Sequence, residues 1–347
     1  MLSSIHGIQP QDLIEFLGGY FPAYRAKQLL KWLYSRFVFD PALMTDLPAD
    51  FREFLLSSFD LSLPRIEDKP VSRDGSEKFR LSLQDGSQIE MVLMPEGRKL
   101  TLCLSTQVGC ARACAFCATG SMKRKRNLAI HEIVQQILLA SQNAPQPITN
   151  LVFMGMGEPL DNLDNVLEAL KLIQSEDSLA FSPRRTTIST CGIVPGIHRL
   201  ADSGIKAKLA VSLNAARGEV RDVLMPVNQK YPLPVLKKAL LYYQKKSPFR
   251  ITLEYILIPD VNMGYLDLKA LRKFSGDLSC KINFIPYNEI PSLPYRSPTE
   301  SEIESFMEEA RSLPQAVTLR RSKGADISGA CGQLVVKARP PKSGGSQ

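Results

Sequence analysis

Within eight residues the chain places three thiols, Cys110, Cys114 and Cys117, at spacings of four and three. Thiols so close in one loop can converge on a metal centre, and thiolates are the usual ligands of iron–sulfur clusters. That there are three matters chemically. A cubane held by three thiolates keeps one iron without a protein ligand, and an open iron binds a chelating substrate where a closed structural site does not. Spacing alone leaves two other readings open. One is a zinc site completed by Cys103 or a distant His; the other is chance clustering of cysteines in a core.

Other residues carry weaker signals. Taken alone, Cys103 and Cys331 read as small buried hydrophobes, the common fate of a free cysteine. Cys331, however, lies between Gly324-Ala325-Asp326 and Gly332, in a loop beyond the last apolar run. Cys191 and Cys280 are assigned to packing. Glu90, between Ile89 and Met91, reads as a solvated strand residue. In Gly157-Glu158-Pro159 the glycine lets the backbone approach a ligand and the carboxylate can accept from an amine, although Gly and Pro also simply end strands. The run Lys123-Arg124-Lys125-Arg126 directly follows the cysteine loop. Basic runs are mostly solvated faces, but one beside a site mouth contacts nucleic-acid phosphate. Arg184-Arg185 is a second candidate for that role.

The elements that must position these residues are legible from hydrophobic periodicity. Apolar runs at 101–105, 150–154, 186–190, 208–213, 251–258, 281–285 and 317–320 read as strands. Amphipathic stretches at 131–141, 164–174, 234–245, 265–274 and 300–312 read as helices between them. This alternation predicts an α/β fold with a parallel sheet. About six repeats predict an open barrel with its chemistry at the C-terminal strand ends. Upstream, Phe79, Leu81 and Leu83, then Ile89, Met91 and Leu93, alternate across Asp85-Gly86 as a β-hairpin. Residues 1 to about 60 read as helical, with stretches at 12–17 and 24–34 punctuated by Gly18-Gly19 and Pro22.

Composition bounds the partners. Lys and Arg number 43 against 35 Asp and Glu, a net charge of +8 spread along 347 residues, which suits a polyanion such as RNA. The charged fraction is ordinary and argues against wholesale disorder. The start Met1–His6 lacks a cationic segment followed by an apolar run, and no stretch approaches 18 apolar residues. The expectation is a cytoplasmic protein without membrane contact. Its cysteines then serve as ligands, catalysts or core fillers, not as a disulfide framework.

The words around the cysteines narrow the reading. The C-x3-C-x2-C array resembles the signature of the radical S-adenosylmethionine (SAM) superfamily. Thr101–Cys110, Phe116–Gly120, Arg126-Asn127-Leu128, Met154–Leu160, Arg184–Thr190 and Asp326–Leu334 resemble the RlmN/Cfr family of RNA adenine methyltransferases. The resemblance runs over about residues 75–337, more weakly through the helical start. It implies a partial (β/α)6 barrel over 99–338, ending in a catalytic cysteine loop. A helical accessory domain over 1–70 that helps hold RNA, a hairpin extension over 71–98 and a disordered tail over 339–347 complete the expected division.

It also implies a 4Fe–4S cluster on Cys110, Cys114 and Cys117, two SAM per turnover, an electron donor, and 23S rRNA and tRNA as partners of a monomer. By family match, Cys331 carries a methyl group as S-methylcysteine, Cys103 resolves it through a transient disulfide, and Glu90 accepts the proton. Gly157, Glu158, Ser189, Ser212, Leu213, Asn214 and Asn288 match SAM contacts; Asn214 departs from the more usual His. The implied reaction is methylation at C2 of adenosine. Its rivals are methylation at C8, a radical SAM enzyme acting on a protein or small molecule, and a non-catalytic metal-stabilised RNA-binding module.

Overall fold

The computed structural model describes residues 2–335, so the expected tail at 339–347 and the end of the expected barrel domain lie outside the described residues. Ten strands form one sheet in strictly sequential order. They are β1 Arg65–Asp68, β2 Glu77–Ser82, β3 Gln88–Glu96, β4 Lys99–Cys103, β5 Asn150–Phe153, β6 Thr186–Thr190, β7 Lys208–Ser212, β8 Ile251–Leu257, β9 Cys280–Pro286 and β10 Ala316–Leu319. From β4 to β10 every pairing is parallel. Parallel neighbours need crossovers, and helices supply them. These are α4 Ile130–Asn143, α5 Leu163–Gln174, α6 Val194–Asp202, α9 Leu233–Lys246, α10 Tyr265–Ser275 and α11 Glu300–Ala310, with the short α7 Gly218–Leu224 and α8 Val227–Lys230 leading into α9.

Burial follows from this layering. All seven residues of β8 are buried, as a central parallel strand covered on both faces requires. The cap chemistry is local: Thr299 Oγ1 accepts from the Glu302 N–H at 3.2 Å, and the Glu302 carboxylate accepts from the Thr299 N–H at 2.8 Å, starting α11. The hairpin is not a separate appendage. Its arms pair with Phe79 opposite Met91 and Leu81 opposite Ile89, and β3 then pairs antiparallel with β4, so the hairpin extends the barrel sheet. The strand β1 at its edge has only four mostly polar residues and gave no periodic signal.

The helical start comprises α1 Pro10–Gly18, α2 Ala23–Tyr34 and α3 Ala49–Ser58. The turn ahead of it, Ile5–Gly7, packs on α4, and the buried side chains of the whole start belong to the same continuous core as the barrel. His6 Nε2 bonds the Leu61 carbonyl at 3.1 Å, and Gln135 Nε2 of α4 donates to the Ser62 carbonyl at 2.8 Å. No described helix is long and apolar enough to cross a membrane.

Candidate active site

One cavity of about 180 Å³ opens at the C-terminal ends of the parallel strands. Its wall takes Cys103 from β4, Phe153 from β5, Ser189 from β6, Ser212 from β7, Glu254 from β8, Ile285 from β9 and Arg320 just past β10. Seven flat strands would span about 29 Å. A single small cavity touching the first and the last of them requires the sheet to curl, so the cavity is the mouth of a partial barrel.

Cys110, Cys114 and Cys117 all line this cavity, on the loop that follows β4. Several contacts fix the loop. Ala113 has φ 52° and Gly109 φ 76°, and a β-carbon on Gly109 would collide with the Lys123 carbonyl. The Cys117 N–H donates to the Cys114 carbonyl at 3.2 Å, and the Ala115 N–H to the Leu224 carbonyl of α7 at 2.9 Å. Arg112 forms an ion pair with Asp161 at 2.7 Å.

Burial pushes the Cys110 thiol up to about 11 and raises Cys114 and Cys117 as well; the neighbouring thiols add to this for Cys110 and Cys114. Such thiols stay protonated until a metal displaces the proton. A thiol-only donor set on one wall suits an iron–sulfur cluster. Among the described residues no three Cys, His, Asp or Glu side chains converge on a single ion. A cubane asks for a wider spacing, since each thiolate binds its own iron.

The two distant cysteines share the cavity. Cys103 is 8% exposed, and burial with the neighbouring Cys331 pushes its thiol up to about 12 against the pull of Arg320. The Cys331 thiol is pushed up to about 11 by the protein packed around it, with Arg320 opposing the rise, although the residue as a whole is solvent-exposed. The Cys331 loop is tied to the cluster loop: the Ala118 N–H donates to the Gly332 carbonyl at 2.7 Å, and Thr119 Oγ1 to the Leu334 carbonyl at 2.5 Å. Both cysteines are free thiols.

The other expected site residues divide. Gly157, Glu158, Ser189, Ser212 and Asn214 line the cavity. Gly157 has φ 99°, and a β-carbon there would stand 2.5 Å from the Gln107 β-carbon. Glu158 accepts from the N–H groups of Leu160 at 3.0 Å and Cys191 at 2.8 Å; burial raises its carboxyl while these bonds oppose the rise. Asn214, at φ 56°, uses Oδ1 to accept from the Ile256 N–H at 3.0 Å, so its amide braces β7 against β8.

Leu213, Asn288 and Glu90 are not in the wall. Leu213 is buried behind it, its N–H on the Glu254 carbonyl at 2.9 Å. Asn288 Nδ2 donates to Ser322 Oγ at 2.8 Å and to the Cys331 carbonyl at 3.2 Å, so it holds the Cys331 loop. Glu90 is 3% exposed and not the solvated residue that strand alternation suggests. Its Oε1 lies 3.2 Å from Lys78 Nζ, and its Oε2 accepts from the Val335 N–H at 3.0 Å. Burial raises the Glu90 carboxyl and Lys78 counters it.

The structure adds detail to three expectations. Cys191 is more than packing, because it lines the cavity beside Glu158. Arg126 is not free for phosphate: it is held by Asp85 and Glu132, each at 2.7 Å, while Lys123, Arg124 and Lys125 are exposed. Arg184 and Arg185 precede the N-terminal end of β6, the end of the sheet opposite the cavity mouth. Sequence reasoning also missed Glu254 and Arg320. Glu254 is buried, with Oε1 accepting from Asn283 Nδ2 at 3.1 Å and Oε2 without a hydrogen-bond partner. The available signal was a carboxylate inside the apolar run Ile251–Leu257, which demands a partner or a ligand.

A thiol triad on the loop after the first parallel strand, facing into an open α/β barrel, defines the radical SAM class, which works with a 4Fe–4S cluster and SAM. A family model for the radical SAM superfamily matches residues 104–270, and one for the ribosomal RNA large subunit methyltransferase N-terminal domain matches residues 5–60. The dual-specificity RNA methyltransferase RlmN of Geobacter sulfurreducens is 44% identical over 99% of this chain and 95% of its own. Its counterpart in Desulfotalea psychrophila is 42% identical over 95% and 94%. The crystal structure of a radical SAM methyltransferase from Sphaerobacter thermophilus matches with a TM-score of 0.92 at 37% identity, covering 96% of this chain and 99% of that one. The chain belongs to the RlmN family of radical SAM RNA methyltransferases.

Proposed function

We propose that this enzyme methylates C2 of adenosine in 23S rRNA, in the peptidyl-transferase region, and in tRNA, at the adenosine 3′ of the anticodon, by way of a methyl group carried on Cys331. The observation that carries the reading is that Cys103 and Cys331, 228 residues apart by subtraction, line the same cavity as the three loop cysteines. Cys110, Cys114 and Cys117 would hold the cluster, which when bound supplies the electron that releases a 5′-deoxyadenosyl radical from SAM. Glu158, Gly157, Ser189, Ser212 and Asn214 border the space for SAM, with Leu213 and Asn288 supporting it from behind. Two SAM are used per turnover.

The protein's own part follows from its thiols and carboxylate. The Cys331 thiolate takes the methyl of one SAM, forming a carbon–sulfur bond as the sulfonium carbon–sulfur bond breaks. Once that carbon is joined to the adenine, Glu90 accepts the proton from the substituted position, exchanging its bond to the Val335 N–H for the substrate. The Cys103 thiolate then attacks the Cys331 sulfur: the sulfur–sulfur bond forms as the bond from that sulfur to the methylene carbon breaks, the carbon takes a proton to become the methyl group, and an external donor reduces the disulfide. Substrate RNA would meet the exposed Lys123–Lys125 face, with residues 1–70 and the hairpin at 71–98 as accessory surfaces beside the barrel at 99–338. A monomeric cytoplasmic enzyme fits this arrangement.

Nucleoside mass spectrometry of rRNA and tRNA treated with the loaded enzyme tests the regiochemistry. The reading expects 2-methyladenosine; 8-methyladenosine as sole product would overturn it.

A further inference from the structure

Arg221 of α7 is the largest fully buried side chain described, with 0% exposure. A buried guanidinium is normally neutralised by a carboxylate, because removing a charge from water is costly. Among the described residues, no carboxylate lies within ion-pair distance of Arg221. Its donors go to neutral oxygens: Nε to the Leu213 carbonyl at 3.1 Å, Nη1 to Asn228 Oδ1 at 3.0 Å, and Nη2 to the Cys191 carbonyl at 2.7 Å and the Ser212 carbonyl at 3.5 Å. Carboxylates enter the network at one remove: Asp222 through Asn228, whose Nδ2 donates to it at 2.7 Å, and Glu158 through the N–H of Cys191 at 2.8 Å.

The surroundings point elsewhere for the missing negative charge. Arg221 Nη2 donates to the carbonyl of Cys191, which lines the cavity together with Cys110, Cys114 and Cys117. The backbone connects the same parts: Leu224 of α7 accepts from Ala115, between Cys114 and Cys117, and Met225, which follows α7, lines the cavity. The arrangement therefore places a fixed positive charge directly behind the cluster loop, shielded from solvent.

We propose that Arg221 is the buried counter-charge of the cluster, a positioning residue that raises its reduction potential and so makes the electron for SAM cleavage easier to load. The inference rests on the cluster reading above. Cluster potential is set by net charge, hydrogen bonding and solvent exposure around the thiolates. A cation in a low-dielectric setting stabilises the more negative, reduced form more than the oxidised one.

The test is spectroelectrochemical titration of anaerobically reconstituted wild type, Arg221→Lys and Arg221→Met, without RNA. At the wild-type midpoint, Arg221→Met is expected to show a reduced-to-oxidised ratio at least about tenfold lower, and Arg221→Lys to stay within about threefold of wild type. A purely architectural role lowers stability in both variants without this split. Equal ratios in all three proteins overturn the proposal alone, whereas a wild type that takes up no iron overturns the cluster reading itself. Should Arg221→Met fail to retain iron, Asp222→Asn serves instead. It keeps the bond to Asn228, removes the opposing carboxylate and should raise the ratio; an unmoved potential there sinks the proposal.

Discussion

Cys110, Cys114 and Cys117 are half-buried in one cavity wall, each with its pKa raised by the protein around it, which suits a joint role as ligands. Replacing any one by Ala is therefore expected to leave a folded protein that has lost its brown absorbance, with iron near zero by metal analysis. Glu90 makes a sharper demand. Its carboxyl is raised by burial and held back by Lys78, and a base works only when deprotonated. Product formation should then rise with pH through a value above the ordinary carboxylate range. Lys78→Met, which removes the opposing cation, should move that limb to higher pH; a limb that stays put would remove Glu90 from the base role. Many of the residues that sequence reasoning assigned were embedded in recognisable words, whereas Glu90, Ser212, Leu213, Asn214 and Asn288 rested on the family match alone. Glu254 and Arg221 were missed because their significance is burial, and Arg320 because the fold brings it to the cavity wall; a residue's neighbours in sequence reveal neither.

At the scale of elements, five crossover helices and the seven parallel strands were legible because their apolar periodicity is long and uninterrupted. The helix α6 was not, since Val194-Pro195-Gly196 reads as a turn. Proline is nevertheless tolerated in a first helical turn, and a β-carbon on Gly196 would stand 2.7 Å from that of Leu160, so the glycine permits close packing. Short α7 and α8 gave too few residues to show a period. The loop geometry yields a stability prediction. Gly109→Ala forces a left-handed residue into the Lys123 backbone and should cost about 1–3 kcal/mol. Chemical denaturation of the apo protein checks this, and iron uptake should fall in parallel. An unchanged unfolding midpoint would show that the loop relaxes freely.

The whole molecule is one packed body, its helical start joined to the barrel through α4, and this gives its stability a pH dependence. His6 is buried near the junction, its Nδ1 without a partner, and burial lowers its pKa from 6.5 to about 4. The neutral form is the one the fold accepts. The contribution is complete above the unfolded value of 6.5 and is lost as pH falls from there through about 4, amounting to about 3 kcal/mol at most. Thermal unfolding between pH 7 and pH 4 should show this loss in wild type and a flatter profile in His6→Phe. The central claim, that Cys331 carries the methyl group and Cys103 releases it, is tested most directly by trapping. Cys103→Ala, loaded with iron and supplied with SAM, reductant and substrate RNA, should accumulate a covalent RNA adduct that peptide mass spectrometry maps to Cys331. SAM cleavage without any adduct at Cys331 would contradict the account.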